Sequence, residues 1–186
     1  MPDHDTATRR AVLAGGLVLA GAAAAPGAGA LPAEYAPPMA GAVPLVLPRT
    51  EFVYEAVCDL EPTMMLGDSP LGERRMVPIS GGSFEGPNIR GKVLPGGADR
   101  QLLRKDGVRV LNALYELQAE DGAVITVHNR VLVDEAPGRA RYAFSTLEIT
   151  APEGPHAWLN RGVYVGTLNS LRPSRPSVLI RVYRVV

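Results

Sequence analysis

The sequence predicts an all-β protein, a single antiparallel β-barrel of about eight to ten strands. After residue 49, apolar residues recur at every second position, and turn-forming residues interrupt them every eight to twelve residues. No stretch of twelve residues has a helical spacing of apolar residues, and segment 79–99 holds six glycines and two prolines. Because so many antiparallel strands would leave exposed edges, we expect the sheet to close into a barrel.

The first thirty residues have the pattern of a removable export signal. Arg9 and Arg10 precede an uncharged run at 11–25, and an A-x-A cleavage site stands before Leu31. The run consists mainly of Ala and Gly and is shorter than the ~20 residues that a membrane-spanning helix needs. We expect a twin-arginine signal peptide at 1–30, the twin-arginine export machinery as a partner, and a periplasmic or secreted protein. A Sec-type signal remains an alternative.

Composition defines the remaining organisation. Residues 31–48 contain five prolines, which predicts a Pro/Ala-rich linker, and residues 49–186 then form one β-barrel domain. The chain has 19 Lys and Arg against 19 Asp and Glu, so nucleic acid is not an expected partner. Since Cys58 is the only cysteine, an intrachain disulfide is excluded.

The first strands follow from alternation. Phe52, Tyr54 and Cys58 fall on one face of a strand at 52–60. The next two strands are predicted at 74–80 and 84–94, the second broken where Pro follows Gly86.

Two tight turns define the middle of the domain. Asp106-Gly107 is a two-residue hairpin signal that joins a strand at 99–104 to one at 108–118. Asp121-Gly122 joins that strand to 123–133 in the same way. The last strands, bounded by Pro- and Gly-rich segments, are predicted at 141–150, 158–166 and 178–186.

Several short motifs resemble a known family. They are GGSFEG at 81–86, GKVLPGGAD at 91–99, YELQAEDGA at 115–123, VHNR at 127–130, AWLNRGVYVG at 157–166 and the terminal VLIRVYRV. From about Thr50 to Val186 the chain resembles the domain of unknown function 3237 family, also called uncharacterised protein family 0311. The resemblance implies a small antiparallel β-barrel of lipocalin-like shape and only weakly implies a function. Arg100 and the segment between Phe144 and Trp158 depart from the commonest family pattern.

Five side chains are candidate ligand contacts. Asn129 shares a strand face with Val127, so it is either a hydrogen-bonded structural amide or a group that orients a ligand. Arg130 lies on the opposite face with His128; it is either a solvent group or, in the other register, an anion-orienting group. If 158–166 is a strand, Trp158 and Asn160 share a face, and Tyr115 could approach them across the lumen.

Asp99 is the one candidate catalytic residue. It follows a Gly-Gly turn and opens a strand, where partial burial could tune a carboxyl group for proton transfer, or where it could simply cap the turn. Only His128 and His156 follow residue 30, without the spacing of a metal site, so neither metal nor cofactor is expected.

Two classes of function therefore remain open. The first is an exported barrel that binds a small, largely apolar molecule. The second is a cofactor-free isomerase, cyclase or lyase in which Asp99 moves a proton while Arg130 or Asn160 stabilises an oxyanion. A homo-oligomer is compatible with either.

Overall fold

The computed structural model describes residues 46–186, so the predicted signal peptide and most of the predicted linker lie outside the described residues. Ten strands and one short 3₁₀ helix, η1, make up the described chain. Their bounds are β1 Thr50–Leu60, β2 Met64–Ser69, β3 Gly72–Gly86, β4 Ile89–Val93, β5 Ala98–Arg104, β6 Arg109–Ala119, β7 Val124–Asp134, β8 Tyr142–Thr150, η1 Ala157–Arg161, β9 Tyr164–Ser170 and β10 Ser177–Val185.

The strands close into an antiparallel barrel. The order runs β1–β10–β9–β8–β7–β6, continues through β4 and β5 to β3, and returns from β3 to β1. Both β4 and β5 pair with β6 and β3, so these two short strands occupy one position in succession and the barrel has eight positions. The predicted closed barrel is confirmed.

One face of each strand fills the lumen. On β6 and β7 the buried positions alternate strictly, from Leu111 to Ala119 and from Ile125 to Val133. Leu159 of η1 is buried in the same core at one end of the barrel, which we call the helix end. The opposite end, where β1 ends and β10 begins, we call the cavity end.

Strand β3 corrects the prediction of separate strands at 74–80 and 84–94. The chain stays extended from Gly72 to Gly86 and turns only at Pro87-Asn88 to enter β4. It passes Gly81 and Gly82 with φ values of +145° and +139°, which glycine adopts without strain. A Cβ at Gly82 would lie 1.9 Å from the carbonyl oxygen of Val57, so glycine lets β3 approach β1 and close the barrel.

Two further elements differ from the predictions. Strand β2, which the sequence did not indicate, pairs only with the first half of β3. The predicted strand at 158–166 was wrong in its first half, since Ala157–Arg161 is helical and β9 begins at Tyr164. The preceding Pro- and Gly-rich turn at 152–155 leads into a helical turn that buries Leu159. Among residues 46–186 no helix is long and apolar enough to cross a membrane.

Candidate functional site

A small cavity lies inside the barrel towards the cavity end. Its volume is about 30 Å³, room for about one or two water molecules. Small side chains at Cys58 and Ala113 leave the space, and the polar groups that border it come from Asp99, Tyr115 and Asn129. Apolar side chains form most of the remaining wall: Leu60, Ile79, Leu111, Val131, Leu168 and Val178.

Asn129 projects into this cavity from the middle of β7. The residue is 1% exposed, and neither its amide nitrogen nor its amide oxygen has a hydrogen-bond partner among the described protein residues. The strand alternation that buries Val127 and Val131 places Asn129 on the same face. Of the two sequence-based readings, the structural hydrogen bond is therefore not found.

Asp99 is the second residue of β5, and its side chain borders the cavity. The residue is 8% exposed, and burial raises the pKa of its carboxyl group, although hydrogen bonds from Gln101 and Asn112 act in the opposite direction. Gln101 Nε2 donates to one oxygen at 2.7 Å, and the backbone N–H of Asn112 donates to the other at 2.9 Å. Asp99 therefore binds across to β6 and its own strand rather than capping the turn before it.

Tyr115 lines the cavity from β6. The residue is fully buried, and burial, together with the neighbouring Tyr54 phenol, raises the pKa of its own phenol well above the ordinary value. Nearby, burial raises the pKa of the Cys58 thiol to about 12, so Cys58 stays protonated and is a poor nucleophile.

The other three predicted ligand contacts lie elsewhere. Arg130 is exposed on the outside of β7, as is the face that carries His128. Trp158 is half-buried on η1 at the helix end, packed against the core. Asn160 is exposed on η1, where its Oδ1 accepts from the Ala151 N–H at 2.8 Å and its Nδ2 donates to the Ala151 carbonyl at 2.9 Å. Asn160 therefore fixes η1 to the end of β8, outside the cavity.

Sequence reasoning missed Gln101, which orients the Asp99 carboxyl group. The available signal was spacing, because residues i and i+2 of a strand share a face. Within residues 46–186, no three His, Cys, Asp or Glu side chains lie close enough together to hold a metal ion.

Comparison with known proteins identifies the family. The family described as protein of unknown function (DUF3237) matches residues 48–185. The chain belongs to this family. A UPF0311 protein of Clostridium acetobutylicum is 30% identical over 149 residues, which cover 73% of this chain and 92% of that protein.

Solved structures of other proteins share the barrel. A beta-barrel like protein from Acinetobacter baumannii superposes with a TM-score of 0.69 at 26% identity, covering 76% of this chain and 98% of that chain. The crystal structure of an enzyme from Penicillium herquei gives a TM-score of 0.62 at 22% identity, covering 76% of this chain and 97% of that chain. At 22% identity, the similarity to the Penicillium herquei enzyme shows a shared fold and nothing more.

Proposed function

We propose that this DUF3237 protein binds a small, largely apolar molecule in the lumen cavity and holds one polar group of that molecule with Asn129. The observation that carries the proposal is the buried, unpartnered amide of Asn129. Leaving a buried polar group without a partner costs about 1–3 kcal/mol, whereas a leucine, with the same branching, would carry no such cost. A ligand group that enters the cavity would supply the missing partner.

The wall of the cavity favours a neutral ligand. No Lys, Arg or His lines it, and the Asp99 carboxyl group would repel an anion. The Asn129 amide offers donors and an acceptor. These groups suit a ligand with a hydroxyl or an amide, such as an alcohol or a phenol, with the remainder of the ligand in contact with the aliphatic wall.

Ligand size is limited by two side chains at the cavity end. Leu60 and Val178 are partly exposed there and pack against the core. Because the cavity holds only about one or two waters, a larger ligand must move these side chains outward.

Native mass spectrometry of the purified protein tests the proposal. We expect a small neutral molecule bound to the protein, or saturable uptake of a small apolar fluorescent probe, and loss of either in Asn129→Leu. Arg130→Gln on the outer face of the same strand is the matched control and should bind as the wild type does. An empty barrel that takes up no probe, or a probe whose binding ignores Asn129→Leu, would contradict the proposal.

The predicted export is part of the same proposal. Arg9, Arg10 and the A-x-A site before Leu31 support it. Fractionation of cells that express the full chain should recover protein starting at Leu31 outside the cytoplasm, and Arg9→Lys with Arg10→Lys should retain the precursor inside. Export that is unaffected by the double substitution would contradict the twin-arginine route and leave a Sec-type signal.

A second candidate function is cofactor-free acid/base catalysis. The observation that favours it is that the buried Asp99 carboxyl group, with its raised pKa, borders the same cavity as Asn129 and Tyr115. Asp99 would take a proton from one carbon of the ligand and return it to another, which needs no co-reactant. Asn129 and Tyr115 replace Arg130 and Asn160 as donors to an oxyanion, since the latter two lie outside the cavity. Turnover that survives Asp99→Asn would exclude this candidate.

A further inference from the structure

The outer face of the barrel carries an apolar row next to unpaired arginines. Strand register places Arg74, Leu102, Val110, Leu132 and Phe144 opposite one another in turn, from β3 to β8. Each of these side chains points away from the lumen, and Phe144 is 50% exposed. The apolar row is partly exposed, most of all at Leu132 and Phe144, and such a row with charged groups at its edge is typical of a binding surface.

A groove of about 520 Å³ lies at the β3 end of this row, a volume within the range of small-molecule sites. Its walls are Leu66 and Leu71 of the β2–β3 hairpin on one side and Leu102 and Val110 on the other. Leu71 is 71% exposed, so the hairpin presents hydrocarbon to solvent beside the groove.

Two guanidinium groups border the groove without an acidic partner. Neither Arg74 nor Arg100 makes a salt bridge or side-chain hydrogen bond with any residue of the described chain. By contrast, Arg75 and Arg104 on the same two strands pair with Glu73 and Asp106. Arg74 and Arg100 occupy diagonal positions on paired strands, close enough for one anion to contact both.

We propose that this groove binds a single-chain amphiphilic anion, a long-chain carboxylate, with its head group on Arg74 and Arg100 and its chain along the leucines. The two positive charges favour an anionic head group over a neutral or a cationic one. If two copies of the chain docked face to face through this surface, their arginines would face each other and repel. The site is separate from the lumen cavity and does not depend on the proposed function.

Binding of dodecanoate below its micellar concentration, measured by isothermal titration calorimetry, tests the proposal. We expect saturable binding that weakens about tenfold or more in Arg74→Gln with Arg100→Gln, since charge-assisted hydrogen bonds are lost. Leu102→Asp, which places a negative charge on the groove wall, should weaken binding similarly. Arg90→Gln on β4 is the control and should leave binding unchanged. The three arginines are exposed and Leu102 is partly exposed, and a thermal melt checks that each variant folds.

Three further measurements separate this proposal from binding of a neutral amphiphile, from binding in the lumen cavity and from docking on a lipid surface. Dodecanol should bind at least about tenfold more weakly than dodecanoate, because it lacks the charge. Asn129→Leu should bind dodecanoate as the wild type does, which distinguishes this groove from the lumen. Vesicles of phosphatidylglycerol should not compete. Equal binding by the double arginine variant, loss of binding in Asn129→Leu, or strong competition by the vesicles would each overturn the proposal.

Discussion

Replacing Asn129 by leucine should stabilise the barrel, although it removes a polar residue from the interior. The side chain is 1% exposed, and both of its polar atoms lack a hydrogen-bond partner among residues 46–186. Leucine has the same number and branching of side-chain heavy atoms, and its bulkier methyl groups would fill part of the adjoining cavity beside Val127 and Val131. The substitution therefore removes a desolvation cost and adds apolar burial.

The magnitude follows from these two contributions. An unpartnered buried polar group costs about 1–3 kcal/mol, and imperfect packing of a new side chain costs up to about 1.5 kcal/mol. We expect a net gain of about 1 kcal/mol in the free energy of unfolding, which corresponds to a rise in Tm of roughly 3–4 °C for a domain of this size.

Urea denaturation followed by intrinsic fluorescence measures the change, with the midpoint expected to rise and the slope to stay constant. Asn160→Ala is the matched control, because its amide makes two hydrogen bonds to Ala151 and its loss should cost about 1–3 kcal/mol. Destabilisation of the barrel by Asn129→Leu by more than about 1 kcal/mol would refute the reasoning, since it would mean that the amide is satisfied in solution.

Three further predictions concern pH, closure and access. Burial raises the pKa of Asp99, so its contribution to stability is fully present below the unfolded value of about 4 and is lost as pH rises through the folded pKa. In Asp99→Asn, the urea midpoint should therefore fall less steeply than in the wild type between acid and neutral pH. An unchanged dependence of the midpoint on pH would contradict this prediction. Gly82→Ala places a Cβ 1.9 Å from the Val57 oxygen and should destabilise by about 3 kcal/mol or more. Gly122→Ala, with open space around it, should cost only about 1–2 kcal/mol in the same assay, and equal losses would refute the closure argument. Leu60→Ala should tighten binding of a bulky apolar probe severalfold; weaker binding would place the ligand elsewhere.

Local turn chemistry explains why much of the fold could be predicted. Asp106-Gly107 and Asp121-Gly122 both lie in turns between paired strands, with Gly107 and Gly122 at positive φ, although each loop holds three residues rather than the predicted two. The alternation on β6 and β7 separated two faces over their whole length, and the structure shows which of the two is buried. Both signals act within about ten residues, so one sequence contains them in full.

Features that depend on contacts distant in sequence were not predictable. The helical turn at Ala157–Arg161 is stabilised by the hydrogen bonds between Asn160 and Ala151 and by the burial of Leu159. Neither contact alters the pattern of polar and apolar residues from which the strand was predicted. One hydrogen-bond donor to Asp99 is the backbone N–H of Asn112, thirteen residues away in the sequence. That contact depends on the register between β5 and β6. The sequence placed Asn129 on the same strand face as its apolar neighbours, but only the three-dimensional structure shows that this face lines the lumen and that the amide lacks a protein partner there.

The side-chain amide of Asn129 provides the most direct test of a ligand site in the barrel. In a two-dimensional ¹H–¹⁵N spectrum of the mature protein, titration with small neutral alcohols and phenols should shift this signal saturably and leave the Asn160 amide in place. An Asn129 signal that stays fixed across such a set, while the barrel remains folded, would contradict the account.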